Sequence, residues 1–254
     1  LNIPVVTDVG DLGRVDVALL CIPTRSVCEE APKYLQKGIC TVDSFDIHGD
    51  AMWDLKTQLD PICIANDTSA IISAGWDPGS DSLIRGVMTL IAPRGITYTN
   101  FGPGMSMGHS VAAKSVEGVE DAVSVTIPLG TGLHRRLVYV KLKPKASFES
   151  VESKIKADSY FCSNETHVYE VGDIENCKDM GHGVVIERKG KSGATNNQLL
   201  SYTHRINNPA GTGQVMVSAA RAAVKQKPGC YTMLEVPVAD YLPMSAHEII
   251  THMI

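Results

Sequence analysis

The chain has 254 residues, 44% of them hydrophobic and 20% charged, which allows a sizeable core in one large domain or two small ones. A formal net charge of −5 argues against a nucleic-acid binder working through a basic face, and no apolar run reaches the ~18–20 residues of a membrane span. Seven cysteines, an odd number with no C-x-x-C spacing, argue against a disulfide framework or a metal site and point to a reducing cytoplasm.

The chain opens at Leu1 in a short apolar stretch, Ile3 to Val6, with no secretory signal. It is expected to be a fragment or to begin after further residues. Val15 to Pro23 is a nearly continuous apolar run that reads as a strand buried on both faces. Ser26 to Lys37 reads as a helix stopped by Gly38. Ile39 to Phe45 is the next strand, and Asp50 to Leu59 the next helix, ended by Pro61. Thr68 to Ala74 is a third strand running into Gly75-Trp-Asp-Pro-Gly79, and Asp81 to Ile91 is helical. This alternation implies βαβ units and a parallel sheet. Right-handed crossovers place Pro23, Asp46 and Asp77 near the carboxyl ends of neighbouring strands, where open α/β sheets bind ligands.

The middle of the chain changes character. Ala122–Leu129, Leu137–Leu142, Thr166–Val171, Gly183–Arg188 and Asn197–Ile206 read as strands of an antiparallel or mixed sheet, with helices at Gly108–Val116 and Phe148–Ala157. A helix from about Gly211 to Lys225 buries Val215, Ala219, Ala222 and Ala223 on one face, and Tyr231–Val236 reads as a strand. The fold class is α/β, a parallel-sheet domain followed by an α+β domain. The expected division is 1–100, 101–208 and a C-terminal helix and strand, 209–254, packing back between the two.

Asp46 and Asp77 each follow a buried strand and can accept a proton or hold a cation, although turn chemistry explains both equally well. Phe101-Gly-Pro-Gly-Met-Ser-Met-Gly-His-Ser110 leads three glycines into a helix, so its backbone N–H groups suit a carboxylate or phosphate; it also reads as a crossover loop. Arg136 has a planar fork suited to a carboxylate, or stands at a solvated strand end. His182 lies in a turn between Gly181 and Gly183. Asn208 either caps the Pro209 helix or points its amide into a cleft. No nucleophile constellation and no H-E-x-x-H spacing occurs.

Cys40 to Asp46, Ser73 to Gly79, Phe101 to Ser110 and Gly181-His-Gly183 resemble, in order and spacing, the meso-diaminopimelate dehydrogenases. The similarity runs over essentially the whole chain and is strongest to the subgroup of broader substrate range. It implies a Rossmann-like domain, incomplete here at its N-terminus because the first strand and the G-x-G-x-x-G turn have no counterpart, plus a substrate and dimerisation domain. It implies NADP-dependent oxidative deamination of the D-centre of meso-2,6-diaminopimelate to L-2-amino-6-oxopimelate and ammonia, in lysine biosynthesis, by a cytoplasmic homodimer without nucleic-acid or membrane partners. The choice of NADP rests on the resemblance alone.

By the same resemblance, the cofactor meets Cys21, Ile22, Pro23 and Thr24, then Ser44, Phe45 and Asp46, then Ala74, Gly75, Trp76, Asp77 and Pro78. The D-centre ammonium is held by Asp46 and Asp77, with Trp76 and Phe101 beside the substrate. The D-centre carboxylate meets Met107 and Gly108. The distal carboxylate is held by Thr126, Arg136 and His182, with Asn208 nearby. Phe101 stands where many members have Trp, and Met107 where they have Gln. The first change removes an indole donor and the second a polar side chain, so simpler D-amino acids are expected to be accepted. Two other readings stay open: a binding module that keeps the substrate domain without catalysis, and another NADP-dependent amino-acid dehydrogenase.

Overall fold

A computed structural model describes residues 3–178 and 181–254, which divide into two units: residues 1–83 with 212–254, and residues 84–211. The division falls inside two helices rather than at 100/101 and 208/209.

In the first unit β1 (Val17–Leu20), β2 (Cys40–Asp43), β3 (Ser69–Ile72) and β10 (Gly229–Thr232) form a parallel sheet in the order β1-β2-β3-β10. Both faces are covered. Leu20, Ala70 and Ile72 pack on one side against α1 (Val27–Leu35) and α2 (Asp50–Ala65); Val42 and Ile71 pack on the other against α6 (Asn208–Ala223). That is why these strands read as unbroken apolar runs. Ile71 and Ile72 are fully buried, each worth about 1.5–3 kcal/mol.

Pro61 does not end α2. The helix runs on to Ala65 because its buried stripe Leu55, Leu59 and Cys63 continues past the proline, and that burial offsets the missing N–H. Tyr231–Val236 is strand only to Thr232. From there a 3-10 turn, Met233–Glu235, begins with a capping box in which Glu235 accepts from Thr232. On α6 the buried face is Met216, Ala219, Ala222 and Ala223, with Val215 at its margin. The chain closes with α7 (Val238–Tyr241) and α8 (Ala246–Met253). Of the C-terminal segment, β10 thus extends the parallel sheet beside β3.

The second unit holds a six-stranded mixed sheet of order β7-β6-β5-β4-β8-β9. Its strands are β4 (Arg94–Met105), β5 (Val119–Gly130), β6 (Leu133–Leu142), β7 (Glu165–Glu170), β8 (Gly181–Ser192) and β9 (Thr195–Asn207). β4, which follows α3 (Ser80–Ile91), is absent from the sequence reading. Its Gly102-Pro103-Gly104 stretch has no strand signature and masks the β-branched and aromatic run Ile96-Thr-Tyr-Thr99, yet the strand pairs with β8 over most of its length and kinks between Phe101 and Gly104. Arg188 of β8, buried at 6% exposure, donates to the carbonyls of Ala92 and Pro93 just past α3 and to the Thr97 hydroxyl. One face of the sheet is covered by α4 (Met107–Lys114) and α5 (Phe148–Ala157), whose Ala112, Ala113, Val151 and Ile155 meet Ala122, Val138 and Val140.

Among the described residues no helix is long and apolar enough to cross a membrane, and no group of three or more His, Cys, Asp or Glu could hold a metal ion.

Candidate functional site

In the first unit the turns after β1, β2 and β3 lie side by side at the carboxyl end of the sheet and are laced together by hydrogen bonds. Thr24, after β1, donates its hydroxyl to Asp46 Oδ1 at 2.7 Å. Asp43, the last residue of β2, accepts on Oδ1 from the Phe45 N–H at 2.9 Å and from the Ser73 N–H at 3.0 Å. Its carbonyl accepts from the Ala74 N–H at 2.7 Å.

Asp46 stands three residues past β2 and Asp77 five past β3, because both strands end two residues before the expected ends at Phe45 and Ala74. The Asp77 turn is closed by hydrogen bonds from Gly75 N–H to Pro78 O at 3.1 Å and from Ser80 N–H to Gly75 O at 3.1 Å. Gly79 sits at φ +139°, and a Cβ there would collide with the Gly75 backbone, so the turn admits no side chain at that point. Phe45, Ala74, Gly75, Trp76 and Pro78 are buried, whereas Asp46 and Asp77 are half-buried; in each turn a carboxylate is the acidic group left partly open. Cys21 and Pro23 are exposed, and Ile22, Thr24 and Ser44 are half-buried. Carboxyl ends of adjacent parallel strands, joined by small turns, are where open α/β sheets bind their ligands.

Asp43 carries an electrostatic load. Burial pushes its carboxyl up to about 6 from 3.8, against the pull of the Ser73 and Phe45 N–H groups. A folded value above the unfolded one means that the fold favours the protonated form. Stability from this group is fully present below about pH 4 and is lost as pH rises through about 6. Asp43→Asn is therefore expected to stabilise the protein at pH 8 by about 3 kcal/mol and to leave stability at pH 4 nearly unchanged. Urea denaturation at both pH values checks this, and an equal change at both would dismiss the charge as the cause.

In the second unit the sheet register aligns the polar residues in one row. Arg136 of β6 pairs with Thr126 of β5, Thr126 with Gly104 of β4, Gly104 with His182 of β8, and His182 with Ile206 of β9. In-register partners point to the same face, about 5 Å apart. That face is the helix-covered one, since Arg136 precedes Val138, and Thr126 follows Ser124, by two residues. Gly104 leaves a gap in the middle of the row. Its φ is +144°, and a Cβ would strike the Gly181 carbonyl.

Arg136 is 7% exposed and His182 2%, neither a solvated strand end nor a residue of a turn. The Arg136 Nη1 donates to the Thr126 hydroxyl, while its Nε has no hydrogen-bond partner, and no carboxylate pairs with it among the described residues. Burial lowers the guanidinium to about 10, so it stays charged at neutral pH. The neighbouring histidines are neutral there. Burial first, and Arg136 second, take His134 down to about 4 and His109 to about 3. A buried cation without a counterion, in a row of hydrogen-bonding side chains, is poised to receive an anion.

Phe101 stands over this row, its ring 5.4 Å from His134 and 6.2 Å from His182, and its N–H donates to His134 Nε2 at 2.8 Å. Met107 and Gly108 open α4, whose preceding Ser106 makes no capping bond; the Ser106 hydroxyl instead meets His109 Nδ1 at 2.8 Å. The first-turn N–H groups are thus not covered by a side-chain cap. Asn208 is the first residue of α6, two past Ile206. Its expected capping role belongs to Asn207, whose Oδ1 accepts from the Ala210 N–H at 3.2 Å. The sequence reading missed Asp43, His134 and the Gly104 gap. A carboxylate closing the apolar run Cys40–Asp43 was the available signal for the first; the other two depend on strand register.

A family described as the diaminopimelic acid dehydrogenase C-terminal domain matches residues 75–133. A Bacteroides fragilis protein named meso-diaminopimelate D-dehydrogenase is 56% identical over 250 residues, covering 98% of this chain and 83% of that protein. The Corynebacterium glutamicum protein of the same name is 30% identical, covering 93% and 82%. The structure of the C. glutamicum DAP dehydrogenase in complex with DAP superposes with a TM-score of 0.87 at 27% identity, over 96% of this chain and 83% of that one. An engineered D-amino acid dehydrogenase bound to NADP+ superposes with a TM-score of 0.85, also at 27% identity, over 94% and 82%.

Proposed function

The chain belongs to the meso-diaminopimelate D-dehydrogenase family, and from that premise we propose how its residues carry out NADP-dependent oxidative deamination of the D-centre of meso-2,6-diaminopimelate. The products are L-2-amino-6-oxopimelate and ammonia. When bound, NADP would supply the oxidant for the hydride that leaves the D-centre carbon; water then adds to the resulting imine carbon and ammonia leaves, giving the ketone. The ammonium must lose a proton before the carbon gives up its hydride. Asp46 and Asp77 attract the ammonium, and one of them takes that proton. The α4 N-terminus at Met107 and Gly108 receives the D-centre carboxylate.

Arg136, Thr126 and His182 hold the distal carboxylate, with Phe101 and Asn208 beside it. Their task is stereochemical choice, because the two ends of the meso compound differ only in handedness. The observation that carries this assignment is the buried Arg136 guanidinium, without a carboxylate partner among the described residues, in register with Thr126 and His182. A substrate screen of the complete enzyme that follows NADPH formation is the test. Meso-diaminopimelate should react fastest, simple D-amino acids slowly, and their L-forms not at all. No NADPH from meso-diaminopimelate would remove the assignment.

A cytoplasmic homodimer is the proposed assembly. It is supported by edge strand β9, which leaves Leu199 at 61% and Tyr202 at 37% exposure. Sedimentation giving a monomer at micromolar concentration would reject it.

A further inference from the structure

We propose that Asp43 is a positioning residue: its carboxylate locks the turn after β2 to the turn after β3 and so sets the spacing of the two acid-bearing turns. The β2–β3 ladder pairs Thr41 with Ala70 and Val42 with Ile71, and runs no further. Beyond it the two chains separate into their turns, and one side-chain oxygen takes over from the ladder. Asp43 Oδ1 accepts from Phe45 on its own turn and from Ser73 on the other. The Asp43 carbonyl adds the bond from the Ala74 N–H.

Each turn is then carried directly to its acid. Phe45, 2% exposed in the core beside Leu20 and Ile72, precedes Asp46. Ser73, held at φ +55°, and Ala74 lead into the closed Gly75–Gly79 turn that bears Asp77. Asp43 itself is fully buried, and its Oδ2 has no hydrogen-bond partner among the described residues. A charge in that position is costly to the fold, as the rise in its proton affinity records. An apolar residue would complete β2 at lower cost but could not accept two N–H groups from two turns. The requirement that fits the observation is geometric.

The proposal rests on the roles given above to Asp46 and Asp77, and its test separates the two. In the complete enzyme, Asp43→Asn keeps a carbonyl oxygen at the same place, Asp43→Ser is too short to reach both N–H groups, and Asp77→Asn reports on the acid itself. Expected are a kcat for Asp43→Asn within about threefold of wild type and a loss on the order of 10²-fold per folded molecule for Asp43→Ser, the cost of displacing a reacting group by about 1 Å. A purely structural role would lower the folded fraction and leave kcat per folded molecule unchanged; that result overturns the proposal. So does a loss in Asp43→Asn as large as in Asp43→Ser, which would make charge, not position, the cause. If Asp43→Ser does not fold, hydrogen exchange at the Ser73 amide decides, with protection in both wild type and Asp43→Asn expected and rapid exchange in wild type overturning it. Wild-type turnover in Asp77→Asn would remove the acid's role and leave the Asp43 comparison standing as a separate result.

Discussion

Asp77→Asn in the complete enzyme is expected to lower kcat by roughly 10²–10⁴-fold, the range set by loss of a positioned acid–base group. Asp77 is half-buried in a turn whose other residues, Gly75, Trp76, Pro78 and Gly79, are buried, and asparagine is nearly isosteric with it, so the substitution changes the chemistry of the carboxylate and little of the packing. The turn itself is held by backbone bonds among Gly75, Pro78 and Ser80 that Asn leaves in place. Proton removal from the amine is therefore expected to lose its acceptor or its electrostatic partner, while the fold and the strand-end turns persist. Steady-state kinetics with meso-diaminopimelate and a thermal melt in parallel check this. A variant that turns over like wild type would strip Asp77 of its catalytic part; a matching loss of melting temperature would assign the defect to folding instead.

The placement of Asp46 and Asp77 was legible because it follows from local rules. Two apolar runs of strand length, each ending in an acidic turn and separated by a helix, must bring their ends together in a parallel sheet. The helix Phe148–Ala157 was equally plain, since its own residues carry the amphipathic signal. What local rules could not reach is the row Arg136–Thr126–Gly104–His182. Those residues come from four strands, and their alignment is a property of register. β4 hid this most effectively. Its Gly102-Pro103-Gly104 run reads as a loop, yet it is tolerated in a strand because the kink there removes the need for regular pairing, and because Gly104 must pass close to the Gly181 carbonyl. Asp43 was hidden differently: read inside the strand Ile39–Phe45, it passes for one polar residue of a buried run until both N–H groups it serves are seen.

The distal row yields the second large effect. Arg136→Leu is expected to raise KM for meso-diaminopimelate by about 10²–10³-fold, the loss on removing one partner of a desolvated, charge-assisted pair. For D-alanine, which has no second carboxylate, kcat/KM should change by less than about threefold. Stability moves in the other direction. Arg136 is a buried guanidinium with, among the described residues, an unpartnered Nε and no carboxylate partner, so the free protein bears the desolvation cost that a bound carboxylate would offset. Leucine, although shorter than arginine, removes that buried charge and packs beside Val138 on the same face of β6. The variant should therefore melt no lower than wild type, and meso-diaminopimelate should raise the melting temperature of the wild type but barely that of the variant. Equal losses on the diacid and on D-alanine, or an unchanged shift with the diacid, would mean that Arg136 stabilises the sheet and does not hold the far carboxylate.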